Sequence, residues 1–399
     1  MRTKWLLWTG IALFAVALLA GCRPAEKAAE PPPTPTPAPK VELVYSYVGS
    51  ESCNSCHGQH YQGWLKTAHP YMIQPARAML PEAKQALQNV LAAGNQAFLN
   101  VGLTDRFIES LDEIEYVVGY KWKQRFVVRA DDGFRFLTAQ YNVPSGTMTR
   151  YTESRVYEDR CLGCHTTGFN LDYTKALDRS TSKYSLESLA VELGIGCEGC
   201  HGPGNVHAAK PTKDNIVNPS RLTVQQQIDF CGSCHARNSG STKVAGREDA
   251  ITYQFGDNLR DHVRVISLAN NENVWVRIKD GTIQGYVNAA DKGTIVAHPD
   301  GASLQHRMQY NDIEQGPHAK VPCTACHNMH GVNSEGQALK GSFAQVCASC
   351  HGSKAFDINE IMPYRMRSSD VFDLRSHTFL AGGKGNPNPN IPKSDDSDK

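Results

Sequence analysis

Two stretches of the chain alternate hydrophobic and polar residues in the manner of β-hairpins. The first covers residues 116–137 and contains Asp131-Asp132-Gly133, and the second covers residues 274–287 and contains Asp280-Gly281. Alternation on both sides of an Asp-Gly turn is typical of a hairpin. A helical pattern runs from Pro81 to Ala93 and ends before Gly94. Elsewhere the periodicity is weak, which predicts loops and short helices.

The first residues of the chain are typical of an exported bacterial lipoprotein. A basic start is followed by an apolar run from Trp5 to Ala20 and by Leu19-Ala20-Gly21-Cys22, a lipobox. Residues 1–21 are therefore predicted to be a cleaved signal peptide, with Cys22 lipidated on the periplasmic side of the envelope. Arg23, in place of aspartate, favours the outer membrane by analogy with enteric sorting rules. The alternative is an ordinary secretory signal with an incidental cysteine.

Composition predicts an extended segment near one end of the chain and disorder at the other. Residues 22–42 would combine the lipid anchor with a proline-rich spacer, which holds the folded body away from the lipid surface. Residues 382–399 are rich in Gly, Asn, Pro, Ser and Asp and are predicted to be a disordered tail. The 41 Lys and Arg nearly balance the 40 Asp and Glu, so no basic stripe for nucleic acid is expected.

The pattern Cys-x-x-Cys-His occurs six times and uses twelve of the thirteen cysteines. It is the attachment pattern of haem c: two thiols bond to the haem, and the histidine binds the iron as its proximal ligand. Paired Cys-x-x-Cys units also build zinc ribbons, but those sites need no histidine after every pair. The motifs, numbered one to six along the chain, therefore predict six covalently bound haem c groups and no disulfides. They are Cys53, Cys56 and His57; Cys161, Cys164 and His165; Cys197, Cys200 and His201; Cys231, Cys234 and His235; Cys323, Cys326 and His327; and Cys347, Cys350 and His351.

The second axial ligand of each iron decides whether substrate can bind there. Histidine is a common axial ligand of haem, and Met329 is a weaker option. Nine histidines lie outside the motifs, three more than six irons need: His60, His69, His207, His262, His298, His306, His318, His330 and His377.

Three stretches of the chain resemble the cytochrome c-554 family. They are Cys53 to His69, the strand-rich segment Ile114 to Phe126 leading to motif two, and Gly196 to Gly204 with its Cys-His-Gly-Pro-Gly element. The family belongs to a wider group with hydroxylamine oxidoreductase and the ammonia-forming nitrite reductase. The similarity covers most of residues 48–380 in motif order, and the Cys-His-Gly-Pro-Gly element is its most specific part.

The resemblance implies a multihaem cytochrome c fold, in which loops and short α-helices pack around closely stacked haems, with two small β-hairpin insertions. Residues 43–240 would be the c-554-like region with haems one to four. A β-rich insertion would follow at 241–300, and residues 301–381 would carry haems five and six. The distal ligands that the resemblance implies are His69, His207, His306, His318, His330 and His377, which leaves His60, His262 and His298 as non-ligands.

The leading functional hypothesis is an electron carrier that exchanges electrons with redox protein partners. Six distal histidines for six irons would close every coordination sphere and leave no position for substrate. The alternative is a reductase of a small nitrogen or sulfur oxyanion at one five-coordinate haem, with His262, His298 or Tyr253 as proton donors. No Cys-x-x-Cys-Lys motif occurs, so the lysine-ligated catalytic haem of the nitrite reductase is not expected. A subunit of a conducting filament is a third possibility, against which the lipobox argues.

Overall fold

A computed structural model of the protein describes residues 46–395. The predicted signal peptide, Cys22 and the proline-rich spacer lie outside these residues, as do residues 396–399. Within the described range, no helix combines the length and apolar composition that a membrane crossing requires.

The α-helices of residues 46–395 are mostly short. The exceptions are three helices of 12 to 15 residues, one of which is the predicted helix after Pro81. They are α1 Ser50–Trp64, α2 Pro81–Ala92, α3 Gln96–Leu99, α4 Tyr157–Arg160, α5 Leu162–His165, α6 Leu171–Ala176, α7 Cys197–His201, α8 Asn205–Ala209, α9 Val224–His235, α10 Gln309–Ile313, α11 Phe343–His351 and α12 Ile358–Ile361.

The strands of the same residues form one sheet of five strands, one of four and three two-stranded ribbons. Their bounds are β1 Ile73–Pro75, β2 Ile114–Val118, β3 Lys123–Ala130, β4 Gly133–Asn142, β5 Thr147–Arg150, β6 Thr166–Thr167, β7 Glu192–Leu193, β8 Asn238–Ser241, β9 Val263–Val265, β10 Val274–Lys279, β11 Thr282–Asn288, β12 Asp291–Ala297, β13 Tyr364–Met366, β14 Leu374–Arg375 and β15 Lys393–Asp395.

The five-stranded sheet contains the first predicted hairpin. β3 and β4 pair across the turn Asp131-Asp132, and the antiparallel order is β1-β2-β3-β4-β5. Successive residues of a strand face opposite sides of a sheet. Here Phe126 packs on one side, in a core shared with α2 and α3, while Val127 packs on the other, next to motif two. Because both faces of β3 are buried here, apolar residues follow one another along the strand without alternation. The element is larger than the predicted hairpin because β1 and β5 are too short to show alternation.

The second predicted hairpin, β10 and β11, lies in the four-stranded sheet of order β12-β11-β10-β15. Asp280 and Gly281 have φ of 51° and 74°, the left-handed conformations that a type I′ turn requires.

The tail differs from the disorder that its composition predicts. Ile391 is 4% exposed in the core of this sheet, and β15 pairs in parallel with β10. One buried isoleucine and a free strand edge are enough to order residues that are otherwise polar.

Gly63 allows α1 to pack against the backbone at His330. A Cβ built at Gly63 would lie 1.9 Å from the carbonyl oxygen of His330. We expect Gly63→Ala to force the two segments apart and to lower the free energy of unfolding by about 1–3 kcal/mol, the usual cost of overpacking. Chemical denaturation followed by circular dichroism measures the change. Gly58→Ala on the same helix is the control, because its Cβ would meet only the Asn54 side chain at 3.6 Å. Equal effects of the two variants would contradict this account.

Candidate haem-binding sites

Helical turns present the three reactive side chains of a motif on one side. In a helix, residues i, i+3 and i+4 share a face, and these are the spacings of the two cysteines and the histidine. Motifs one and three lie within α1 and α7, and motifs four and six form the last turns of α9 and α11. Motif two spans the junction of α4 and α5, and motif five begins in a single 3₁₀ turn. Each motif can therefore hold a haem edge and its iron from one side.

Five motif histidines face a histidine from another part of the chain. A metal–imidazole bond is about 2 Å long, and the centroid of the ring lies about 1 Å beyond the bound nitrogen. Two imidazoles on opposite sides of one metal ion therefore have centroids about 6 Å apart. The observed separations are 5.9–6.3 Å. The pairs are His57 with His207, His235 with His69, His201 with His330, His351 with His318, and His327 with His377.

The remaining motif histidine, His165, shares its surroundings with His306. Burial, followed by Arg307, Arg125 and Lys123, lowers the pKa of His165 to about 3. Burial and the same three cations, together with Arg237, lower the pKa of His306 well below its usual value. The two imidazoles therefore face the same positive side chains.

Hydrogen bonds at Nδ1 leave Nε2 of several of these histidines free for a metal ion. His201, His327 and His377 each place Nδ1 within 2.7–3.0 Å of a backbone carbonyl oxygen. A carbonyl can only accept, so Nδ1 carries the proton and donates it. Such a bond fixes the tautomer and the ring orientation of a metal ligand. Tyr157 Oη lies 2.6 Å from Nδ1 of His165 and can serve in the same way.

Burial lowers the pKa of several of these imidazoles and so favours the neutral form, which is the form that binds iron. The pKa of His69 falls to about 4 through burial and the neighbouring His235 and His327. Burial lowers the pKa of His377 to about 4 as well.

The structure gives other partners to two histidines that were predicted not to be ligands. His262 has Thr252 Oγ1 at 2.9 Å from Nδ1 and Asp257 Oδ2 at 2.9 Å from Nε2. His298 Nε2 lies 2.9 Å from the carbonyl oxygen of Arg365. Both rings therefore hold local structure together.

His60 has a different position, beside a motif histidine. Its ring centroid is 6.3 Å from that of His57, the same distance as His207. α1 is kinked at His57, and the His60 ring lies 4.5 Å from that of His330, the imidazole that faces His201. His60 therefore packs beside another pair of facing imidazoles, and His207 is the predicted ligand opposite His57.

Cysteines of different motifs lie beside one another and define the order of the sites in space. Motif one adjoins motif three, motif four adjoins motifs two, three and five, and motif five adjoins motif six. The thiols in contact are Cys53 with Cys197, Cys164 with Cys234 and Cys231 with Cys323. Burial, followed by a neighbouring thiol, raises the pKa of Cys200 beside Cys234 and of Cys326 beside Cys347.

Glu198, inside motif three, is a residue that sequence reasoning missed. Its carboxylate is 2% exposed and accepts hydrogen bonds from the backbone N–H groups of Val48, Gly49 and Gly204 at 2.7–2.9 Å. The start of α1 and the Gly-Pro-Gly loop are thereby tied to motif three. The spacer positions of a haem motif are variable, so its sequence gave no signal for this role.

The repeated motifs and the facing imidazoles define a multihaem c-type cytochrome. Comparisons agree: residues 137–202 match the family Cytochrome c554 and c-prime, and residues 316–356 match the doubled CXXCH motif. The chain is thus a multihaem c-type cytochrome with a cytochrome c554-like region, which confirms the predicted family resemblance. Haem c binding and electron transport are the general properties of this class.

Similar proteins are also multihaem cytochromes. The chain is 26% identical to the multiheme cytochrome MtrA of Shewanella baltica over 49% of this chain and 53% of MtrA. It is 23% identical to the C-type polyheme cytochrome OmcB of Geobacter sulfurreducens over 51% of this chain and 26% of OmcB. It therefore spans about half of the first relative and a quarter of the second. The crystal structure of Outer Cell Wall Cytochrome OcwA shares the fold, with a TM-score of 0.52 at 19% identity over 76% of this chain and 67% of that one.

Proposed function

We propose that the protein carries six haem c groups with two histidines on every iron and conducts electrons between redox protein partners. The observation that carries the proposal is the set of facing imidazoles at the separation that one iron requires. Five of the predicted ligands take part in these pairs: His69, His207, His318, His330 and His377. The sixth, His306, faces the same cations as His165. With both axial positions filled, an iron exchanges electrons without binding substrate.

The order of the motifs supports a route for the electrons. Haems one, three, four, five and six, numbered by motif, would form a line, and haem two would branch from haem four. Cys56 and Cys350, at the two ends of the line, are exposed, while the cysteines of motifs two to five are less so. The ends are therefore the places where partner proteins can approach.

The predicted lipid anchor at Cys22 completes the proposal. It would tether the carrier to a membrane surface on the periplasmic side of the envelope, with the outer membrane favoured, and the proline-rich spacer would let partners reach the body.

Haem content and spin state together test the coordination. We expect the pyridine haemochrome assay and the intact mass to give six haems per chain, and electron paramagnetic resonance to show low-spin iron only. Nitrite and cyanide should leave the visible spectrum unchanged. A high-spin signal with cyanide binding would instead support the oxyanion reductase.

A further inference from the structure

Four basic side chains surround the site of haem two, and we name Lys123, Arg125, Arg237 and Arg307 the haem-2 cation cluster. Lys123 and Arg125 are two residues apart on β3 and therefore project from the same face of the strand. Arg237 follows motif four by two residues, and Arg307 directly follows His306. Lys123 contacts the carbonyl oxygen of Ser368, and the preceding Arg367 pairs with Gln305, the residue before His306. Segments that are far apart in sequence thus bring positive charge to one place.

No carboxylate lies within ion-pairing distance of three of these four side chains in residues 46–395. Lys123 Nζ donates to the carbonyl oxygen of Ser368 at 2.7 Å. The Arg125 guanidinium lies 3.5 Å above the Tyr151 ring, and its Nε donates to Gln140 Oε1 at 2.8 Å. Nε of Arg237 is buried and has no hydrogen-bond partner.

The fourth cation has only a distant carboxylate. Arg307 is 3.9 Å from Glu248. Glu248 is already bound by Arg155 at 2.9 Å and by Arg160 at 2.6 Å. Its charge is therefore largely taken up by those two arginines, and it does little to balance the cluster.

In addition to burial, neighbouring cluster members lower one another's pKa. Burial and the neighbouring Arg125 and Arg237 lower the pKa of Lys123, with only Asp373 acting in the opposite direction among the acids. Burial, followed by Arg307, lowers the pKa of Arg237 to about 10. By contrast, burial and neighbouring histidines, without any lysine or arginine, lower the pKa of His201 and of His330.

The propionates of a haem held by motif two would supply negative charge at this site. Arginine binds carboxylates through a planar fork of N–H donors, and lysine binds them as a point charge. Two propionates would balance two of the four cations. Reduction of ferric to ferrous iron removes one positive charge, so a positive surrounding favours the ferrous form.

We propose that haem two is an electron reservoir on a side branch, because the haem-2 cation cluster would bind its propionates and favour its ferrous state. The contact of Cys164 with Cys234 places the branch beside motif four. Ferric haem two would gain one electron from ferrous haem four, which would become ferric. The proposal rests on haem binding and axial ligation as proposed above.

Redox titration of charge-removing variants tests the reservoir. We expect Lys123→Gln and Arg237→Gln each to lower one midpoint potential by at least 59 mV, which is a tenfold change in the ratio of oxidised to reduced haem for a one-electron couple. The other midpoints should stay where they are. Lys121→Gln is the matched control, since that lysine lies two residues away, is exposed and contacts the carbonyl oxygen of Gly336.

A spectroscopic label identifies the haem that responds. In a His306→Ala background, haem two becomes high spin and its absorption change can be followed by itself, and Lys123→Gln should shift that signal. An equal shift in Lys121→Gln, no shift in either cluster variant, or a shift of a low-spin haem instead would overturn the reservoir. Failure of haem attachment would appear earlier, as a low haem count in the unmodified protein, and would refute the proposed function itself.

Discussion

Replacing His207 with alanine is expected to convert haem one from low spin to high spin. His207 faces His57 at 6.3 Å with an interplanar angle of 21°. Its Nδ1 lies 3.0 Å from the carbonyl oxygen of Thr212 and 3.0 Å from Asn215 Oδ1, which directs Nε2 toward the haem position. Removing the ring opens the sixth position of one iron. The electron paramagnetic resonance spectrum should gain one high-spin haem per chain, and that haem should now bind cyanide.

His60→Ala is the matched control, because His60 lies at the same distance from His57 as His207 does. We expect this variant to keep every haem low spin, since the His60 ring lies 4.5 Å from that of His330 and packs beside it. If His60→Ala gave the high-spin signal and His207→Ala did not, the assignment of the distal ligand would be reversed.

The Glu198→Ala variant should lose about 3–5 kcal/mol of the free energy of unfolding, because three backbone N–H groups lose a charged acceptor in a buried place. Val48 and Gly49 precede motif one, so the packing of haem one against haem three should loosen as well. Guanidinium denaturation followed by circular dichroism measures the stability, and the interaction between the two haems is read from the low-spin resonance spectrum.

Two further variants separate the hydrogen bonds from the charge and from a general effect of losing a glutamate. Glu198→Gln keeps one acceptor oxygen and should lose less stability than Glu198→Ala. Glu335→Ala removes an exposed loop carboxylate and should cost less than about 0.5 kcal/mol. A similar loss in Glu198→Ala and Glu335→Ala would show that the buried contacts contribute little.

Local chemistry explains which parts of the fold could be predicted. The two hairpins follow from Asp-Gly turns, and the helix after Pro81 follows from its start and stop signals, all of which act within a few residues. The pairing of β1 with β2, or of β15 with β10, depends on partners that are distant in sequence, and two- or three-residue strands have no periodicity of their own. The tail was misjudged because its composition hides Ile391, whose burial requires the finished sheet.

The same distinction between local and long-range features applies to the haem-binding sites. The motifs specify attachment and the proximal histidine by spacing alone, whereas the facing ligand is a property of the folded chain. The contact of His60 with His330 and the position of His207 opposite His57 arise only in the folded chain. Glu198 and the haem-2 cation cluster combine residues from segments up to 184 positions apart, such as Lys123 and Arg307, and only the fold brings them together.

The pairing of β15 with β10 has a consequence for how copies of the protein behave toward one another. Without β15, β10 would be the open edge of a three-stranded sheet, and such edges readily recruit strands from other molecules. The carbonyl oxygen of Pro392 instead accepts the N–H of Val276 at 2.8 Å. Residues 392–395 thus cover this edge of β10, which would hinder strand pairing between copies of the protein.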